Sequence, residues 1–386
     1  MCPCRCTKKI ISDISGVGET GWRGGHETVN TLAAEVVRQY GGDLTAVLSD
    51  KSEDVILENI PSQGVGPHFE VSQDFVIDRV DPPYSLSANE YSRITEKLQP
   101  LVVKSAKDLS VRLIGNQFRE LHDAVSKYID LLDKNDLRLI AWSEVWGMGV
   151  IIRNILDASE RHIRDRMLPE LEDPAKAAIE SLLTLHGPMI LSTRDGQELS
   201  DQSSLFDKGR AERAVLKEAT EEIAAAVSRR TDIATKSAAE TVASAADAMA
   251  EGSHPERGAV YGLASVRNVM IPLVAAAVVT SPSTLGYLTM GQPGAVIATP
   301  FPLVAVEGLK KSPQFMSFIS ALGSKFDDAF EKDPLLWLRE SARRLAPFRS
   351  FFIENKDSLL KITSKTPELR WLEKYIRLIE EDTSIN

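Results

Sequence analysis

Gly16, Gly18 and Gly21 spell G-x-G-x-x-G, a spacing that lets backbone amides at the start of a helix hold a pyrophosphate. The surroundings do not complete the motif. The preceding apolar run is only Ile10-Ile11, the next helical pattern begins near Thr28, and Asp50 stands 29 residues after Gly21. No alternation of strands and helices follows, as a dinucleotide fold would require. These glycines are the cofactor-site candidates, but no cofactor is expected. Cys2, Cys4 and Cys6 are the chain's three cysteines. Their spacing is not the paired C-x-x-C of a zinc site, and three thiols would need an outside fourth ligand. They are the metal candidates, and the expectation is a terminus whose thiols bind nothing.

Trp142 and Trp146 lie four apart, on one face of any helix, beside Gly147 and Gly149. Such a pair makes either an aromatic contact surface or, as expected here, core packing with glycines that admit a crossing helix. Glu144 falls between the indoles in sequence but on another helical face, so a tryptophan-flanked catalytic acid is not indicated. The histidines are scattered at 26, 68, 122, 162, 186 and 254, and Asp157 and Arg161 have the spacing to pair with each other. The chain lacks G-x-x-x-x-G-K-[ST], H-E-x-x-H and G-x-S-x-G. Catalytic residues are therefore none, and the reading is a non-enzyme. Arg153, Arg161, Arg164 and Arg166, and later Arg339, Arg343, Arg344 and Arg349, form two basic runs interspersed with acids. A salt-bridged, solvated face is expected of them, with anionic headgroups or the acidic region 43–81 as the other partners.

The sharpest feature is a stretch of 39 residues, Asn268 to Val306, without one Asp, Glu, Lys or Arg. Its apolar positions are Val269, Ile271, Leu273, Val274, Val278, Val279, Leu285, Val296, Ile297, Leu303 and Val304, with a turn expected at Gly291 to Gly294. A bilayer-crossing helix needs about 20 apolar residues, so the stretch has the length of a tight membrane hairpin with one short arm. Arg257 and Arg267 before it and Lys310 and Lys311 after it suit a hairpin with both ends on the cytoplasmic side. Pro272, Pro282, Pro293, Pro300 and Pro302 weigh against it, because lipid does not relieve the carbonyls that prolines leave unpaired. The alternative makes Gly258 to Thr280 a central helix buried on all sides in a soluble bundle.

The elements that must carry these residues read as mainly α: a multi-helix bundle with a small irregular or short-stranded N-terminal region and the charge-free segment as a potential helical hairpin. Phe69, Val71, Phe75 and Ile77 alternate as strands do. A helical pattern then runs from a capping box at Ser87–Glu90 to Leu132, with Pro100 as its expected break or kink. Further helices are expected from about Leu137 to His162, from Pro174 to Leu185 with Gly187-Pro188 ending it, and within the Ala-rich run Ala211 to Ala250. The division follows: a tail over 1–25, a small acidic region over 26–82, a helical bundle over 83–191, a polar linker and long Ala-rich helix over 192–255, the hydrophobic segment over 256–311, and amphipathic helices over 312–386.

With 386 residues, 43% hydrophobic and 26% charged, the chain is an ordinary globular protein. Its net charge of −10 is concentrated between Asp43 and Asp81, where nine acids face two bases. No strongly basic block exists, which argues against nucleic acid as a partner. Lys8-Lys9 are followed by too short an apolar run for a secretory signal, so a cytoplasmic protein, or one on the inner side of the cell membrane, is expected. The function read from these features is non-enzymatic: the 268–306 segment mediates membrane association or assembly, with itself as a homo-oligomer or with a protein partner. The alternative is a soluble helical adaptor or regulatory interaction protein with that segment in its core, and the third reading is a nucleotide-dependent enzyme using Gly16–Gly21.

Overall fold

Period-two hydrophobicity between residues 68 and 80 becomes two short antiparallel strands, β1 (His68–Val71) and β2 (Ile77–Val80), with Phe69 opposite Arg79 and Val71 opposite Ile77. Phe69, Val71 and Ile77 face inward and are at most 1% exposed. Phe75, expected to continue the strand pattern, sits instead in the connecting turn with φ of 61°. Its ring makes an edge contact with Phe326 at 5.5 Å and lies under the Arg344 guanidinium, and that packing holds a backbone conformation unusual for a non-glycine residue.

The computed structural model describes residues 60–81, 86, 89–114, 117–279, 313–323 and 343–384, with isolated positions at 326, 332, 337 and 341. Outside these lie Gly16–Gly21, the three cysteines, the helix expected from Thr28, the Ser87 cap, and the charge-free chain beyond Val279 with Leu285, Val296, Ile297, Leu303, Val304 and the Gly291–Gly294 turn. Twelve α-helices and one two-stranded sheet make the described part mainly α.

Helix α1 (Asn89–Leu113) runs through Pro100 without a break. One lost backbone bond is outweighed by burial of Val102, Val103, Ala106 and Leu109 on the face packed against later helices. The helix ends at Leu113, and α2 (Arg119–Leu132) follows. A 3₁₀ turn at Leu137–Leu139 leads into α3 (Trp142–Arg164), the helix expected to begin near Leu137. Next come α4 (Asp173–Leu191) and α5 (Arg194–Ser204). Gly187-Pro188 does not end α4, because Met189 and Ile190 beyond it are buried core residues. The expected polar linker is also helical: Thr193 Oγ1 accepts a hydrogen bond from Gly196 N at 3.1 Å as the cap of α5, and Leu199 anchors the helix inward.

The Ala-rich run divides into α6 (Arg210–Arg229) and α7 (Lys236–Ala248). The break has a tertiary cause. Ile77 N donates to Ile233 O and Thr235 N to Ile77 O, so residues 233–235 pair beside β2 and cannot remain helical. Thr235 then caps α7 by accepting from Ala238 N, while its hydroxyl donates to Asp78.

Helix α8 (Pro255–Val279) is the axis of the bundle. It touches α3, α5, α6, α7, both strands and three of the C-terminal helices: α9 (Pro313–Leu322), α10 (Ala346–Glu354) and α12 (Trp371–Ser384). Between α10 and α12 lies α11 (Lys356–Lys365), which packs on α6. From Gly258 to Val279 only Ala264 and Arg267 keep partial exposure. Asn268, a polar residue in this run, is fully buried and satisfied: its Oδ1 accepts from Gly64 N, and its Nδ2 donates to Gly64 O and Pro67 O at 3.0 Å.

Candidate functional site

Helix α3 carries the two clusters of chemistry-bearing side chains. Trp142 and Trp146 share its inner face, as their spacing predicts, at 1% and 4% exposure, and neither indole N–H finds a hydrogen-bond partner among the described residues. They belong to the core, and Gly147 and Gly149 explain how the core closes around them. A Cβ on Gly147 would stand 2.3 Å from the ring of Tyr261 in α8, and one on Gly149 would stand 2.4 Å from Nε2 of His186 in α4. Neither helix could pack where it does against a side chain at these positions.

Trp146, Gly149 and His186 open onto a cavity of about 310 Å³ between α3, α4, α5 and the start of α8. Val150, Leu183, Ile190 and Leu191 supply apolar wall, while Arg153, Asn154, Ser200, His254 and Arg257 supply polar groups. No described carboxylate lines it. The imidazole of His186 is held by Tyr128, whose hydroxyl lies 2.8 Å from Nδ1. Burial, with help from the nearby Arg257 charge, pushes the His186 pKa down to about 4, so the ring is neutral at physiological pH. Burial also keeps the Tyr128 phenol protonated.

The basic side chains around this cavity are not equivalent. Arg153 is engaged by Asp157 at 3.3 Å and by the Ser253 hydroxyl, and His254 lies 3.5 Å from Glu256. Asp157 thus pairs with Arg153, one turn before it, and not with Arg161 as its spacing allowed; its second oxygen accepts from Ser253 N at 2.7 Å. Arg257 lies over the Trp146 ring, 5.9 Å from its centre, and no described carboxylate pairs with it.

On another side of α3, Glu144 is nearly buried and accepts a hydrogen bond from Arg79 Nε of β2 at 2.6 Å. Desolvation raises the Glu144 pKa, and the Arg79 charge opposes that rise. A second cavity, of about 280 Å³, borders this pair together with Lys127, Asp130, Glu240 and Tyr261. Charges of both signs line it, with Arg79 and Glu144 paired directly, as in a structural ion pair. A second buried acid, Asp195 of α5, accepts from the backbone of Ser143 in the first turn of α3, whose own N-cap residue, Ala141, offers no side-chain bond. Burial first, then the Glu198 charge, raises the Asp195 pKa to about 6.

The sequence points to Trp142, Trp146 and the glycines beside them but not to His186, Tyr128, Arg257 or Arg79, which come from three other helices and a strand. The available signal is the face Trp146, Gly149, Val150, Arg153, whose mixed apolar and basic character differs from an all-apolar core stripe. Of the charge-free segment, Val269, Ile271, Leu273, Val274, Val278 and Val279 are described, and each is at most 1% exposed within the bundle. Among the described residues no group of three or more His, Cys, Asp or Glu is arranged to hold a metal. No protein-family model, curated protein or solved structure matches the chain, so its function must be argued from this geometry.

Proposed function

We propose that this protein is a soluble, non-enzymatic helical adaptor, in which the start of the charge-free segment serves as the axis of the bundle and the surrounding helices present its binding surfaces. One observation carries the reading: 94% of the most apolar 18-residue window of α8 is buried by the protein's own elements. The bonds from Asn268 to the 64–67 loop support it, since they tie the start of the segment to chain outside the helix. A helix apolar on every side needs cover on every side, and here helices and strands supply it.

A second reading, membrane association or self-assembly through 268–306, draws support from the same composition. Pro255–Val279 is long enough to cross a bilayer, with a mean hydropathy of 1.7 over its best window. The two readings part on one experiment. After expression without detergent, high-speed sedimentation and carbonate washing, the adaptor reading expects the chain in the supernatant as a defined species. It also expects Ala276→Arg to abolish soluble yield, because an unpaired charge cannot be housed in that core. Retention in carbonate-washed membranes would overturn the adaptor reading in favour of insertion.

A further inference from the structure

We propose that the cavity between α3, α4 and the start of α8 is a binding site for a small organic monoanion, with a carboxylate held by the Arg257 guanidinium and an apolar body lying along Trp146 and Val150. Three observations carry this assignment. The cavity, at about 310 Å³, falls at the small end of the ~300–1,000 Å³ typical of small-molecule sites. Its described lining contains arginines and no carboxylate. Among the described residues Arg257 is the guanidinium there without a counter-charge, since Asp157 serves Arg153, and Glu256 stands beside His254.

The charge count selects the ligand class. One free guanidinium matches one negative charge, and its planar fork suits a carboxylate. A dianion such as a phosphate monoester would bring a second charge with no cation left to meet it. The apolar half of the lining selects against fully hydrophilic anions, because inorganic phosphate or citrate would forfeit hydration there without a return. Position adds to the attraction: His254 and Arg257 flank the N-terminus of α8, where the helix macrodipole is positive. His186 shapes the site without adding charge. Tyr128 holds one ring nitrogen, while the other faces the α3 backbone at Gly149.

The test uses benzoate, benzyl alcohol as its neutral analogue, hexanoate as an aliphatic carboxylate and phenyl phosphate as a dianion. Binding to the full chain is measured by titration calorimetry, and the Trp146 indole N–H resonance, assigned by Trp146→Phe, locates the site. Saturable binding of benzoate or hexanoate that shifts this resonance is expected, with benzyl alcohol and phenyl phosphate each weaker by about tenfold or more. Arg257→Gln, at a largely exposed position, should melt like the wild type and weaken the carboxylates by about tenfold or more. Val150→Phe should abolish binding by filling the cavity. The proposal is overturned if neither carboxylate saturates in the millimolar range, if benzyl alcohol binds as well as benzoate, or if Arg257→Gln leaves affinity unchanged. Tighter binding of phenyl phosphate would overturn the monoanion assignment, and an unmoved Trp146 resonance would move the site elsewhere.

Discussion

Acid should destabilise this protein through His186, by an amount that follows from its burial. An ordinary imidazole titrates near 6.5, and the one packed against Tyr128 and Gly149 is pushed down to about 4. The native state therefore binds fewer protons at this position than the unfolded chain does between about pH 4 and 6.5. Its contribution to stability is whole above about pH 6.5 and drains away as pH falls towards 4. At ~1.36 kcal/mol per pH unit, the gap between 6.5 and about 4 amounts to about 3 kcal/mol, of which roughly 2–3 kcal/mol is already lost at about pH 4.5. Asp195 titrates in the same window, so the informative quantity is a difference. His186→Gln retains a side chain that can bond Tyr128 but carries no titrating ring. Urea unfolding of both proteins, followed by circular dichroism from about pH 7.5 to 4.5, should show the wild type losing roughly 2–3 kcal/mol relative to the variant. A difference that stays constant within about 0.5 kcal/mol would show that the ring is not held neutral by burial, and the account of the cavity wall would fail with it.

Other perturbations test the packing and the buried acids. Asp195→Asn should give a pH dependence of the opposite sign: because burial raises the Asp195 pKa from 3.8 to about 6, its stabilising contribution is full below pH 3.8 and is lost as pH rises through 6. Relative to the Asn variant, the wild type should thus lose stability over that range, as the same urea series would reveal. Arg79→Met should cost about 3 kcal/mol by leaving the Glu144 charge nearly buried and unpaired. Adding Glu144→Gln to that variant should recover most of the loss in a double-mutant cycle, and equal losses in the single and double variants would refute the pairing. Gly147→Ala should lower the melting temperature, with a cost of roughly 1–3 kcal/mol, because its methyl would meet the fully buried ring of Tyr261. Gly187→Ala, with nothing within 4 Å of its added carbon, should not.

Local physics made much of the architecture legible. The spacing of Trp142, Trp146 and the residues after them predicts the face that α3 buries, and period two around Phe69 and Ile77 predicts a small strand pair. The charge-free run predicts a helix buried on all sides, because no side chain from Asn268 onward could anchor an exposed face with charge. What the run cannot specify is the material that covers it. Lipid and protein both satisfy an uncharged surface, and that seven helices and two strands pack around α8 emerges only in the assembled fold. Breaks were misread where tertiary contacts overrule local signals. Pro100 and Pro188 stay inside helices because flanking residues are buried. The Ala-rich run, whose composition allowed either one long helix or a helical pair, forms a pair, divided at 230–235 because β2 offers its backbone bonds there. The cavity was beyond reach of the sequence for a similar reason. Tyr128, Trp146, His186 and Arg257 come from four helices, and neither the neutrality of His186 nor the lack of a described counter-charge beside Arg257 exists until those helices pack. Residue types determine which interactions are available, while burial and the choice of partner, which set pKa and charge balance, arise only in the assembled fold.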